Sequence, residues 1–330
     1  MTDTVSAEDA MARRGLRRLL LRHESVLFVI LVLSLAVLAT LTDKFFTADN
    51  LLNQGRLMAE VALVALPMTF IIITGGIDLS VGSTLGLCAI VLGVVWKNVG
   101  LPLELAIVAA LATGALGGLV NGWFITRVRV PPLIMTLATL ALYRGLAEGI
   151  SEARSVRGYP EWFYVLGQGE VAGVPTQLWL LLVATILAWV VLARTAFGRS
   201  LYAIGHNETA ARFSGIAVDR IKLAIYTAAG AMAGLSAVIF VSRVTTTRSD
   251  MGTGLELDVI AAVVLGGTSI FGGVGTIVGT AIGFLLIQLL KNGLALTGVK
   301  GDATIVVIGS VLILSILISN LLQRRRGADH

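Results

Sequence analysis

The sequence is short of the side chains that soluble enzymes rely on. Its single cysteine, Cys88, lies inside an apolar run, which excludes a disulfide framework. Three histidines, His23, His206 and His330, are scattered, and no His/Cys/Glu grouping has the spacing of a metal site or an HExxH pair. No G-x-x-x-x-G-K-[ST] phosphate loop occurs, so the chain is not expected to hydrolyse ATP itself. No catalytic residue, metal or cofactor is predicted. Charged residues make up only 14% of the chain, against about 25% in soluble domains. Aromatics are only 6%.

What fills the 330 residues is apolar side chain, 56% of the total, with a mean hydropathy of +0.89. Disorder is excluded by that richness. Blocks near the ~20 residues that a bilayer requires fall at 26–42, 56–74, 80–96, 103–125, 132–148, 177–194, 222–242, 256–271, 274–290 and 303–321. The expected fold class is therefore all-α, a polytopic membrane protein of about ten transmembrane helices. The net charge of +5 suggests nucleic acid only if the bilayer is ignored. In a membrane protein excess cation records orientation. Arg13, Arg14, Arg17, Arg18 and Arg22 precede Val26–Leu41 without a small-residue cleavage site, which predicts a retained first span and a cytoplasmic N-terminus. Ten spans then gather Arg127, Arg129, Arg194, Arg199, Arg212, Arg220, Lys222 and Arg324–Arg326 on that same side, with a cytoplasmic C-terminus. The organisation predicted is a cytoplasmic tail over 1–25, a membrane domain over 26–322 and a cytoplasmic tail over 323–330. Loop 149–176 faces outside with Trp162, Phe163 and Tyr164 as an interfacial anchor. Loop 195–221 faces the cytoplasm.

A weak repeat points to internal duplication. ITGGIDLSVGSTLG at 73–86 resembles LGGTSIFGGVGTIVG at 265–279, with Gly75-Gly76 falling on Gly266-Gly267 and Gly82 on Gly273. Duplicated transporters place their sites near glycine-interrupted helices in matching positions.

Asp78 stands between two apolar blocks beside Ser80. A carboxylate at membrane depth is costly and usually faces a partner or a water-filled cavity, so it is predicted to line or shape a path. An ordinary helix cap, accepting from amides near Val81, would explain it equally. Glu60 opens an apolar run and can snorkel to an interface or line a path. Glu256 and Asp258 suit the first turn of a helix. Asn121 and Gln288 are mid-span amides that bond neighbouring helices or meet a hydroxyl-rich solute.

Loop 195–221 is patterned more specifically. Asn207 is a good helix cap, Glu208 lies in the first turn, and Gly215 is placed to end a two-turn helix. Ala210, Ala211 and Phe213 would let that helix dock into a groove of another protein. A connecting amphipathic helix at the bilayer surface is the plainer alternative.

This loop resembles the ATPase-coupling loop of bacterial ABC importer permeases of the ribose/xylose/galactose sugar type, which reads G-R-x-x-x-A-I-G-x-N-x-x-A-A-x-x-S-G-I. Gly198, Arg199, Ala203, Ile204, Gly205, Asn207, Ala210, Ala211, Ser214, Gly215 and Ile216 match it. Gly76–Ser83 and Val264–Thr276 are similar to that family's two half signatures, and the resemblance covers roughly 45–320. One position departs from it, with Thr209 before the paired alanines and Glu208 one place earlier. Gly82–Ile90 and Arg248–Asp250 look most like the rhamnose and autoinducer-2 import permeases. The resemblance implies a cytoplasmic ABC ATPase, a second permease copy or paralogue, and a periplasmic substrate-binding protein, all around a chain in the bacterial inner membrane. It implies ATPase coupling through Gly198, Arg199, Gly205, Asn207, Glu208, Ala210, Ala211, Phe213 and Gly215, and a path shaped by Asp78, Ser80, Asn121, Gly267 and Gln288. Loop 149–176 and turn 243–255 would receive the binding protein. The rival readings are an ion-coupled secondary transporter using Asp78 and a branched-chain amino-acid ABC permease.

Overall fold

A computed structural model describes residues 23–41 and 43–299, with positions 303, 306, 309, 310 and 313 beyond them. Residues 1–22 of the expected N-terminal tail, most of the block at 303–321 and the tail 323–330 lie outside the described residues. The helices are α1 (His23–Leu41), α2 (Ala48–Ile73), α3 (Val81–Lys97), α4 (Leu103–Trp123), α5 (Pro132–Ser151), α6 (Glu161–Gln168), α7 (Thr176–Arg194), α8 (Ala196–His206), α9 (Glu208–Phe213), α10 (Val218–Val244), α11 (Leu255–Leu265) and α12 (Ile277–Leu296). Four two-residue strands, β1 (Val156–Arg157), β2 (Glu170–Val171), β3 (Val174–Pro175) and β4 (Thr246–Thr247), complete it. The protein is an all-α, multi-pass membrane protein.

Among the described residues six helices are long and apolar enough to cross a bilayer, namely α2, α4 with its π-helical extension to Val128, α5, α7, α10 and α12. The apolar stretch of α1 (Leu27–Leu38) and the 17-residue α3 are shorter. Of the ten helical spans expected, the described residues show six full ones and shorter helices, and most of the tenth block lies outside them.

Burial sorts the helices. α2 sits at the centre, with Leu63, Val64, Met68, Ile71 and Ile72 fully buried. Large apolar side chains of α4, α5 and α7, such as Leu116, Leu137 and Leu187, point outward, as lipid-facing positions do. α4 and α10 approach at a seam of glycines. A Cβ on Gly114 would overlap the Gly230 carbonyl, one on Gly230 would overlap the Gly114 carbonyl, and one on Gly118 would overlap the Tyr226 carbonyl. Small residues spaced by four let membrane helices pack backbone to backbone.

The block at 256–271 is not a helical span. α11 has 11 residues, about 16 Å at 1.5 Å per residue, and stops at Leu265. The chain before it is the short strand β4 followed by a run of turns over 249–254. Thr247 Oγ1 lies against Gly93, the Met251 and Ser249 carbonyls against Gly86, and Gly252 and Glu256 against Gly82. The segment after α10 therefore runs along α3 for roughly the 16 Å separating Gly93 from Gly82, so most of 243–255, expected as an outer turn, packs against a helix. Non-helical backbone at membrane depth must find its hydrogen bonds within the protein or in a water-filled cavity. β4 pairs with β1, matching Val156 to Thr247 and Arg157 to Thr246. Arg144 of α5 donates to the carbonyls of Ser249 and Met251, the latter at 3.0 Å.

The two glycine-rich breaks share a cap. After α2, Gly75 N bonds Ile72 O and Gly76 N bonds Ile71 O, with Gly75 at φ +77°. After α11, Gly267 N bonds Val264 O and Thr268 N bonds Val263 O, with Gly267 at φ +88°. Both are Schellman ends, and they align Gly75 with Gly267, one position away from the expected Gly75–Gly266 pairing. Such ends close a third to a half of helices, and α2 and α11 differ in length, so the shared cap does not by itself carry a duplication.

Candidate coupling surface and translocation path

Loop 195–221 folds into α8 and α9. Thr195 caps α8 by accepting from Gly198 N at 3.2 Å, and Asn207 caps α9 by accepting from Ala210 N at 2.9 Å. α9 ends in a third Schellman turn, in which Gly215 N bonds Arg212 O, Ile216 N bonds Ala211 O and Gly215 adopts φ +82°. Ala211, Ile204 and Val218 bury together beneath it.

The residues expected to couple to an ATPase divide by direction. Arg199, Ala210 and Phe213 face outward, Phe213 with 90% of its surface exposed. Asn207 and Gly215 shape the ends of α9. Gly198, Gly205 and Ala211 face inward. A Cβ on Gly198 would overlap the Leu192 carbonyl, which sets the tight corner between α7 and α8. A Cβ on Gly205 would overlap the Ile73 carbonyl and the Gly273 amide. Those two groups bond each other at 2.8 Å. Tyr202 Oη donates to Gly275 O at 2.7 Å. α8 is therefore seated where the end of α2 meets the chain break between α11 and α12. His206 is exposed, with its ring beside Gly273, and Tyr202 is a contact that sequence reasoning overlooked.

Glu208 ties α9 to its neighbours. Its Oε1 accepts from Arg212 Nη2 at 2.8 Å, its Oε2 lies 2.6 Å from Lys222 Nζ, and Arg212 reaches Asp219 at 2.5 Å. Burial would raise the carboxyl's pKa, but the bonds from Lys222 and Arg212 outweigh it and hold Glu208 below the usual carboxylate range. The carboxylates of Asp219 and Glu208 raise Arg212 in turn.

The residues expected along the path fall into three situations. Asp78 Oδ1 accepts from Ser80 N at 2.8 Å and from Ser80 Oγ at 2.6 Å, Asn121 Nδ2 donates to Ser80 Oγ at 2.8 Å, and Thr139 Oγ1 donates to Asn121 Oδ1 at 2.8 Å. Asp78, Ser80 and Asn121 are all buried. Their network pins the extended chain before α3 to α4 and α5. The carboxylate thus accepts at Ser80, two residues on, in the turn that leads into α3, not from amides near Val81. Gly267 turns the backbone after α11. Gln288 donates to Gln54 at 2.8 Å and borders a small cleft with Asp258 and Lys291.

Two acidic residues take partners other than those expected. Glu60 sits in the middle of α2, where Arg243 reaches both its carboxylate oxygens, at 2.7 and 3.1 Å. Asp258 pairs with Lys291 at 2.6 Å. The first is a buried ion pair between α2 and α10, not a snorkelling side chain.

Long apolar helices around broken crossings, with a capped amphipathic loop at one end, define a multi-pass membrane permease. Residues 50–316 match the family described as the permease component of branched-chain amino acid transport systems, and the chain belongs to that family. It is 40% identical to the ribose import permease protein RbsC of Escherichia coli strain K12, over 98% of this chain and 99% of that one. RbsC of Bacillus subtilis strain 168 is 42% identical over 91% and 92%. The autoinducer 2 import system permease protein LsrD of Escherichia coli strain K12 / DH10B is 36% identical over 89% and 91%. No solved structure matches the chain.

Proposed function

We propose that the chain is the membrane-spanning subunit of an ATP-driven importer in the bacterial inner membrane, with both termini cytoplasmic, and that its solute is a sugar or sugar-like polyol. Relatives named for ribose and autoinducer 2, similar along almost their whole length, favour that class over the branched-chain amino acids in the family's description. With no phosphate loop in the chain, the ATP is hydrolysed by a separate cytoplasmic ATPase. A second permease copy or paralogue completes the membrane part, and a periplasmic binding protein delivers the solute to the end where β1 and β4 join loop 149–176 to segment 243–255.

The observation that carries the mechanism is the seat of Gly205. α9 presents Phe213 to the ATPase and is clamped to α10 through Glu208 and Lys222. α8 rests directly on Ile73 O and Gly273 N. Closure of the ATPase on α9 would therefore displace the two chain breaks without any intervening flexible segment. Asp78, Ser80 and Asn121 would keep the first break in shape during that movement.

The test is uptake of labelled ribose, xylose, galactose and rhamnose by cells carrying the chain with its partners. ATP-dependent uptake that survives collapse of the ion gradients is expected for at least one sugar. Gly205→Ala should lower it ~10-fold or more, equivalent to about 1.4 kcal/mol, with the protein still in the membrane. Uptake by the chain alone, abolished with the ion gradient, would instead make Asp78 the ion-linked carboxylate of a secondary transporter.

A further inference from the structure

The C-terminal ends of α3 and α5, with the link from α5 to β1, enclose a pocket of about 470 Å³. Ile90 and Val94 of α3 and Ile150 of α5 give it an apolar wall. Its rim is charged. Lys97, Arg154 and Arg157 stand there against a single carboxylate, Glu152, which leaves two cations in excess. After α5 the chain turns sharply, with Glu152 and Ala153 both in left-handed backbone at φ +49° and +57° and Arg154 N bonded to Ser151 O at 2.8 Å. That turn brings Arg154 and Arg157 to the same pocket as Lys97.

The excess is not neutralised nearby. Glu152 is already engaged, 3.4 Å from Arg154. Among the described residues neither Lys97 nor Arg157 has a carboxylate within ion-pair distance. Lys97 lies over the Trp96 ring, 5.2 Å from its centre. Asp250 shares a neighbouring cavity with Arg157 but is held by Arg248 through two 3.0 Å bonds.

Two observations put this pocket at the level of lipid headgroups. Trp96 stacks on Tyr159 with ring centres 4.5 Å apart, and Trp162 packs edge-on against Phe163 beside them. Amphipathic rings gather at the membrane–water interface. Leu142, Leu146 and Ile150 recur every four residues on α5, each roughly half exposed, so they form one lipid-facing stripe. The last of them is the wall of the pocket. An acyl chain lying along that stripe would bring its headgroup to the cationic rim.

The rim also lies on the side opposite the Arg-rich loops, where orientation in the membrane calls for no Lys or Arg. Phosphate without a neighbouring ammonium is what two excess cations recognise, and arginine offers its oxygens a planar fork. A free anion or an acidic protein surface would use the cations and leave the apolar wall and stripe unexplained.

We propose that this pocket binds the phosphate of an anionic phospholipid headgroup through Lys97, Arg154 and Arg157, with the acyl chains laid along α5. The site does not depend on which solute the chain carries.

The test is photocrosslinking of the purified full-length chain in phosphatidylcholine vesicles. These are doped with phosphatidylglycerol or phosphatidylcholine bearing a photoreactive acyl chain, and the labelled peptides are mapped by mass spectrometry. Labelling over 142–150 should favour phosphatidylglycerol, whereas Leu182 and Leu187 on the outward face of α7 should label with both lipids alike. Lys97→Gln and Arg157→Gln should each lower the preference by ~5-fold, as removal of one cation at a membrane surface does. Glu152→Gln, which frees Arg154, should raise it by a similar factor, a gain that a misfolded variant would not mimic. No preference over 142–150, or one unchanged when Lys97 and Arg157 are both replaced, overturns the site. Displacement of the lipid by inorganic phosphate, mole for mole, would assign the pocket to a free anion and overturn the lipid. Unchanged lipid labelling with lost uptake in the doubly substituted chain would give the cations to the acidic face of a partner protein and overturn it too.

Discussion

Gly205 and Gly215 lie ten positions apart in one loop and are glycine for different reasons. Gly215 adopts φ +82° with open space where a Cβ would stand, so its constraint is conformational. Gly205 has an ordinary backbone but no room, because its Cα faces the carbonyl of Ile73 and the amide of Gly273. The first constraint is legible in the sequence, since a glycine just after a capped two-turn segment ends a helix. The second is not, because it depends on chain nearly 70 and 130 residues distant. Glu60 was misjudged for the same reason, as its partner Arg243 is remote in sequence.

Glu208 carries a pH dependence. Its folded carboxyl is held below the ordinary range, so the stability it contributes is fully present above the unfolded value of about 4.3 and is lost as the pH falls through the lower folded value. Comparing thermal unfolding of the solubilised protein with that of Glu208→Gln should show a constant advantage for the unsubstituted chain from pH 8 to about 5, shrinking below about 4. An advantage that grows on acidification would contradict the ion-pair clamp.

At the scale of elements, hydropathy identified the long spans well, because α2, α4, α5, α7, α10 and α12 are continuous apolar helices. It failed at 256–271, where an apolar run begins in a half-length helix and passes into glycine-rich chain. Hydropathy reports burial and depth, not whether the backbone is helical. The strand and turns before it, from Thr245 to Gly254, were unreadable because β4 pairs with β1 and the carbonyls of Ser249 and Met251 accept from Arg144, groups far away in sequence. Arg144→Met should accordingly cost the folded protein ~1–3 kcal/mol, the penalty for leaving buried carbonyls unpaired, read as a fall in the unfolding temperature of the solubilised chain. An unchanged temperature would mean that water or another donor already serves Ser249 and Met251. The glycine seam between α4 and α10 was likewise out of reach of the sequence, since only the fold shows that Gly114 and Gly118 oppose Gly230 and Tyr226.

At the scale of the molecule, two ends perform different work. One carries α8, α9 and the two Schellman breaks, and the other carries the β1–β4 ladder and a cavity of about 500 Å³ beside it. α2 and α10 run between them, joined by Glu60 and Arg243 and by the bond from Ser236 to the Glu60 carbonyl. A push at α9 therefore has a packed route toward that cavity. Sequence patterning carried the local structure of loop 195–221 almost completely, because caps, a first-turn acid and a terminal glycine are local features. Of the residues expected along a path, Asp78, Ser80 and Asn121 form a closed buried network, which only the fold reveals, whereas Gln288 borders a cleft with Asp258 and Lys291.

The central claim, an importer subunit driven by a partner ATPase, is tested most directly by purifying the tagged chain from detergent-solubilised membranes and identifying what accompanies it. The expected result is an ATPase with a phosphate-binding loop, together with a second permease copy, and loss of that ATPase when Phe213→Asp charges the exposed face of α9. Recovery of the chain alone, active in sealed vesicles without ATP, would contradict it.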